Sequence, residues 1–246
     1  MSTTHLDAGR LVDAWSDVLG KSLPKPLLTA AANLEAVQWS QSPEVPFDAE
    51  KLTPATAEQM VIEHSQRLAA AEQFNVARGQ ALAAAGLRVL VVAGEVIPDV
   101  FTQLQPRLKA ASEALAAALN LLPDTNPSPE VLIGDVASVE AWHTAQVAVA
   151  ELDALDRFVS SLSAVYGHQG EITLRLLAPT TREAYQILLR AKDAKGALKP
   201  LWVAGVTTPD VSWTLNDPAQ SREIVAVLNA LPPTERKQIK FARLSR

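Results

Sequence analysis

Apolar residues recur at steps of three and four from Ser138 to Tyr166: Val139, Trp142, Ala145, Val149, Leu152, Leu155, Val159, Leu162 and Tyr166. A helix turns such steps into one continuous stripe. Glu140, Gln146, Glu151, Asp153, Asp156 and Ser160 fall on the other side. Asp135 and Ser138 are candidate N-caps, and Gly167 is a C-terminal stop. The spacing predicts a helix about 43 Å long at about 1.5 Å per residue. Such a helix would act as a spine, packing its stripe against other long helices or a second chain.

The same period predicts helices over residues 6–20 and 27–39. Pro43, Pro46 and Pro54 mark a loop between them and the next helix, with Phe47 as its anchor. Thr53-Pro54 then reads as an N-cap with a first-turn Pro, and Thr56 with Gln59 as a capping box. Met60, Val61, His64, Leu68, Ala71, Phe74, Ala77, Ala81 and Leu82 keep helical spacing. Residues 87–92 are β-rich and bounded by Gly86 and Gly94, but with no partner strand nearby the expectation is helix. Pro98-Asp99 is expected to open a further helix to about Leu121. A turn-rich linker follows over 122–129.

Beyond Gly167-His168-Gln169-Gly170 the period becomes alternating. Strands are expected over 172–176, 201–206, 211–215 and 238–244, with helices from Thr180 to about Asp193 and from Asp217 through Leu231. That order is β-α-β-β-α-β, the ferredoxin-like pattern. The expected class is α+β, mostly α: a long-helix bundle followed by a small βαββαβ module. The domains would be a helical arm with a Pro-rich loop (1–54), a long antiparallel helical bundle (55–167) and a small α/β module (171–246).

Composition sharpens the picture in three places. Apolar residues are 48 % of the 246, enough for a real core, while aromatics are only 5 % and Ala is heavily used. That favours close-packed helices. The absence of cysteine rules out disulfides, thiolate metal sites and cysteine nucleophiles. Charge is uneven: residues 1–170 carry 10 Lys/Arg against 20 Asp/Glu, and residues 171–246 carry 12 against 7. The basic half is thus expected to dock on an acidic half, its own or a neighbour's, ahead of nucleic acid. No secretory signal pattern and no apolar run of about 18 residues is evident. The expected location is cytoplasmic, or the virion if the protein is phage-encoded.

Catalytic chemistry finds little support. Gly20-Lys21-Ser22 lacks the earlier glycine and the strand of a phosphate loop and reads as a helix end. His5, His64, His143 and His168 lack zinc-helix spacing. His64 is expected to be a hydrogen-bonded core residue. Asp153 and Asp156 read as solvated acids, within reach of Arg157 and Lys109. No catalytic residue, metal or cofactor is expected, and the chain is read as a non-enzyme. The expected interaction residues are Trp142, Val149, Leu152, Val159 and Tyr166 on the spine and Trp202, Trp213, Arg236, Lys237, Lys240 and Arg243 in the basic half. The expected function is structural or assembly: self-association, or docking into a larger complex through long amphipathic helices. A phage virion or head–tail component is one concrete version, and no motif supports it. The alternative is a regulatory nucleic-acid-binding protein, with Trp202 and Trp213 stacking bases and the basic tail on phosphates. No membrane is expected as a partner.

Overall fold

A computed structural model describes residues 4–42, 44–122, 124 and 135–230. The elements are α1 (Thr4–Leu19), α2 (Lys25–Gln38), α3 (Ala57–Leu121), α4 (Val136–Ser161), α5 (Ser163–Tyr166), β1 (Leu177–Pro179), α6 (Arg182–Lys192), α7 (Pro200–Thr207), β2 (Val211–Trp213) and α8 (Pro218–Ala230). The class is α+β and mostly α, with one two-stranded antiparallel sheet among the described residues. The chain forms two compact units, residues 1–100 and 101–246, and α3 contributes to both.

Two expected helices are in fact one. The 65-residue α3 runs through residues 87–92, as expected, and also through Pro98 and Pro106. Each proline lacks the N–H that would bond the carbonyl four residues back, at a cost of about 3 kcal/mol in a helix interior. Both prolines are exposed, so the carbonyls they deprive lie toward the solvent side. The opposite side is buried at steps of three and four: Val89, Val92, Ala93, Ile97 and Val100 in the first unit, Leu104, Leu108, Ala111, Leu115 and Ala118 in the second. Each fully buried Val, Leu or Ile contributes about 1.5–3 kcal/mol. The stripe outweighs the two breaks, and the helix continues.

An 18-residue window of α3 has mean hydropathy 1.7 and is long and apolar enough to cross a membrane, with 28 % of it buried. The expectation of no membrane-length apolar stretch is corrected to that extent. Arg88 and Glu95 stand in the apolar stretch 81–97. Each charge at mid-bilayer would cost about 2.5–3.5 kcal/mol.

In the first unit α1 buries Ala8, Leu11, Trp15, Val18 and Leu19, and α2 buries Leu27, Ala30 and Leu34. Arg78 of α3 donates to the carbonyls of Val37, at 3.4 Å, and Gln38. A cation at the C-terminal end of α2 suits both its unpaired carbonyls and its dipole. Phe47 does anchor the Pro-rich loop, meeting the His64 ring edge-on at 5.0 Å. His64 is therefore an aromatic contact; its buried Nδ1 has no hydrogen-bond partner, contrary to expectation. The expected capping box also fails. Gln59 donates forward to Glu63 at 3.0 Å, and Thr56 Oγ1 accepts from the Thr53 amide at 3.1 Å.

In the second unit Asp135 caps α4, accepting from the amides of Ala137 and Ser138 and from the Ser138 hydroxyl at 2.6 Å. Those bonds, the hydroxyl's foremost, hold its carboxyl below the usual range. The buried side of α4 is Ser138, Ala141, Ala145, Ala148, Leu152, Leu155, Phe158 and Val159. The expected stripe is thus shifted by one position along its first half, because alanines allow closer packing than Trp142 or Val149. The Phe158 ring meets Phe101 of α3 at 6.3 Å. Gly167, at φ 70°, ends α5 in the left-handed conformation as expected.

The ferredoxin-like order is not shown. Residues 172–174 form a 3₁₀ turn, and 173–177 are buried without alternation, so the half-buried strand over 172–176 is absent. The expected strand 201–206 is the helix α7. Its apolar run fits a buried helix as well as a strand, and Pro200 in its first turn decides for helix. Gly205 lets α7 lie close on the sheet: a Cβ there would be 2.8 Å from Leu177 Cδ2 and 2.9 Å from Trp213. The two strands pair Leu177 with Trp213, Ala178 with Ser212 and Pro179 with Val211. The α6 cap is Thr181, one residue later than expected, because the Thr180 amide donates to the Asp210 carbonyl at 2.8 Å. The expected strand 238–244 and most of the linker 122–129 lie outside the described residues.

Two glycines should respond oppositely to alanine. A Cβ on Gly86 would lie 2.8 Å from His5 Cα and 2.9 Å from His5 N, whereas one on Gly9 meets nothing within 4 Å. Thermal unfolding should show Gly9→Ala raising stability by about 1 kcal/mol through helix propensity. Gly86→Ala should lower it despite the same propensity gain, because α1 must move.

Candidate functional site

Two features of the described surface and interior stand out. One is a buried polar joint in the second unit, and the other is an uncovered face of α3 in the first.

The joint grows from the polar side of α4. Asp153 and Asp156 lie nearly one turn apart, so both carboxylates point the same way. Asp153 Oδ1 accepts from Lys199 Nζ at 2.8 Å and from Trp202 Nε1 at 2.7 Å. Asp156 pairs with Arg175 Nη1 at 3.5 Å and with Lys199 Nζ at 3.9 Å. Lys199 also sits 4.5 Å from the Trp202 ring centroid, a cation–π contact, and the Trp202 and Trp213 rings are 6.0 Å apart. Burial pushes the Asp156 carboxyl up, while Arg175 and Lys199 pull it down and burial prevails. These acids are half-buried rather than on an open solvent face, and their partners are Arg175, Lys199 and Trp202 rather than Arg157 or Lys109. The basic half thus meets the acidic half within this chain at this point.

Further polar bonds complete the joint. The Tyr166 hydroxyl donates to Asp217 Oδ2 at 2.8 Å. Asp217 Oδ1 accepts from the amides of Ala219 and Gln220, each at 2.8 Å, and Gln220 Oε1 accepts from the Asp217 amide. This is a reciprocal capping box on α8. Burial, then the Asp217 bond, pushes the Tyr166 phenol up to about 12. Gln105 of α3 donates to the Trp213 carbonyl at 3.1 Å and accepts from the Leu215 amide at 3.4 Å, so one side-chain amide imitates a neighbouring strand. Asn216, buried, donates to the Leu174 carbonyl at 2.6 Å.

The expected interaction residues therefore divide. Leu152 and Val159 are buried, and Trp142, Val149 and Tyr166 are half-buried. Trp202 is 1 % exposed, so its ring faces the interior; Trp213 is half-buried against it. Arg236, Lys237, Lys240 and Arg243 lie outside the described residues. Beside the spine, a groove of about 410 Å³ runs between Ala110, Ala111 and Ala114 of α3 and Val147 and Ala148 of α4, edged by the Arg107–Glu151 ion pair at 2.6 Å. Among the described residues no cluster of three His, Asp or Glu side chains could hold a metal ion.

The uncovered face is the feature the sequence reading passed over. Up to about residue 80, α3 is half-buried only along Ala57, Met60, His64, Ala71, Phe74 and Arg78. The opposite side leaves Val76 at 58 % and Leu87 at 57 % exposed, with Ile62 and Val91 nearby, and Val61 and Leu68 of the expected stripe are themselves exposed. The available signal was apolar residues off the main stripe: Ile62, Val76, Leu87 and Val91 make the helix apolar on two sides. A groove of about 640 Å³ lies along α3 from Asn75 to Ala83, with His5 of α1, Arg78, Gly79 and Leu82 in its lining.

Comparison with protein-family models, curated proteins and solved structures finds no match.

Two measurements probe the joint. Asp153→Ala strands the buried Trp202 N–H and should destabilise the protein by about 1–3 kcal/mol in denaturant unfolding. The loss should shrink in a Trp202→Phe background, giving a coupling of at least about 0.5 kcal/mol. Tyr166 keeps its proton in the folded protein to a higher pH than in the unfolded chain, where it ionises near 10. Its contribution is complete below pH 10 and lost as pH rises through about 12. Alkaline unfolding should become shallower in Tyr166→Phe, with the native tyrosinate absorbance appearing late.

Proposed function

We propose that this protein is a non-enzymatic structural or assembly protein that self-associates through α3. One observation carries the reading: the uncovered apolar face running from Val61 to Val91. An amphipathic helix is stabilised chiefly by burying its apolar side, and a second apolar side left in water is a docking surface. The polar joint supports the same reading from another direction. The acids and bases of the second unit that are most withdrawn from water engage one another, so they serve architecture. Nucleic-acid binding is the weaker alternative, since the Trp202 ring and the Lys199 and Arg175 charges are already engaged.

Light scattering tests the reading. The full chain should run as a dimer or larger multimer at micromolar concentration. Leu87→Glu should shift it to monomer while leaving the circular dichroism spectrum unchanged, because Leu87 is exposed in the single chain. A wild-type monomer at every concentration would sink the proposal.

A further inference from the structure

The joint over α4 holds two carboxylates and shares its donors between them unequally. Asp153 takes the two short bonds, from Lys199 Nζ at 2.8 Å and from Trp202 Nε1 at 2.7 Å. Asp156, with 15 % of its side chain exposed, has Arg175 Nη1 at 3.5 Å and Lys199 Nζ at 3.9 Å. Its Oδ1 is buried without a hydrogen bond. Charge-assisted bonds to a carboxylate normally lie at about 2.7–2.9 Å. Asp156 has therefore left water without the close contacts that would offset its desolvation. We propose that the joint is a proton-operated clasp: on mild acidification Asp156 takes up a proton from solvent, and the segments folded over α4 are held more firmly. This goes beyond self-association and does not depend on it.

The charged groups that act on Asp156 come from three segments. Asp153, nearly one turn away on α4, adds a like charge; Arg175 from the turn before β1 and Lys199 ahead of α7 add unlike ones. Burial outweighs both cations and holds the carboxyl above its ordinary range. Arg107 of α3 is engaged with Glu151 at 2.6 Å. Asn216 and Ser221, which line the small space beside Arg175 from the loop after β2 and from α8, carry no charge. Once Asp156 is neutral, Lys199 keeps its bond to Asp153, and Arg175 still faces a carboxyl oxygen that can accept. In the unfolded chain the same carboxyl titrates near its ordinary value of about 3.9. The folded protein thus binds this proton more tightly than the unfolded chain does. The stability it brings is fully present below the unfolded value and is lost as pH rises through the folded one.

Thermal unfolding of the full chain carrying Asp156→Asn tests the clasp, since asparagine is the nearest uncharged mimic of the protonated acid. Near pH 7 the variant should melt above the wild type. The gap should close as pH falls toward about 4, where the wild type has taken up its proton. An ordinary structural ion pair predicts the reverse: the variant would melt below the wild type near pH 7, because Arg175 would lose its anion. That result, or a gap that does not change with pH, would overturn the proposal. Carboxyl-carbon NMR of the folded wild type gives a second reading that needs no variant to fold. The Asp156 resonance, assigned through its own backbone, should titrate above the ordinary aspartate range; titration within or below that range would overturn the proposal as well.

Discussion

α3 takes part in two compact units and buries a stripe in each. α3 does so from Val89 through Ala118, and the steps of three and four hold across both prolines. Burial along that stripe is worth several times what the two missing N–H groups cost. The same requirement fixes where the prolines stand. Pro98 and Pro106 are eight residues apart, about 80° around the helix, and both are exposed. Once the stripe is committed, the opposite side from Val61 to Val91 is left over, and its apolar residues have no use within the described chain.

The second unit depends on a different constraint. A charge withdrawn from water must meet an opposite charge or a donor. Asp153 and Asp156 on α4 meet Lys199, Arg175 and the Trp202 indole, drawn from the turn before β1 and from the start of α7. Arg175 sits between the 3₁₀ turn and β1, and its own carbonyl accepts from the Asn216 amide at 2.9 Å. One residue therefore ties the acidic spine to both the strand and the loop after β2. Asp217 acts similarly, with one oxygen capping α8 and the other accepting from Tyr166. Small elements that could not stand alone are held in this way to one long helix.

The strongest polar cluster is paired by charge, with Asp156 Oδ1 left without a hydrogen bond, and exposed apolar residues lie along α3. A face of that kind suits another helix of the same period.

Much of the helical architecture was legible in the sequence, because helical period, caps and stops are local. The spine, its Asp135 cap, the Gly167 stop and the Asp217 cap all follow from residues within a few positions of one another. The acidic–basic contrast between halves was also legible, as a charge count. What only the tertiary structure decided was whatever depended on a partner far along the chain. Pro98 begins no helix because burial outweighs it. Residues 201–206 form a helix because Pro200 opens it and Gly205 lets it approach the sheet. Asp153 and Asp156 are structural because Arg175, Lys199 and Trp202 fold over them. The same holds for the free face of α3: apolar residues on two sides of a helix are visible in one dimension, but which side is already covered is settled only by what packs against it.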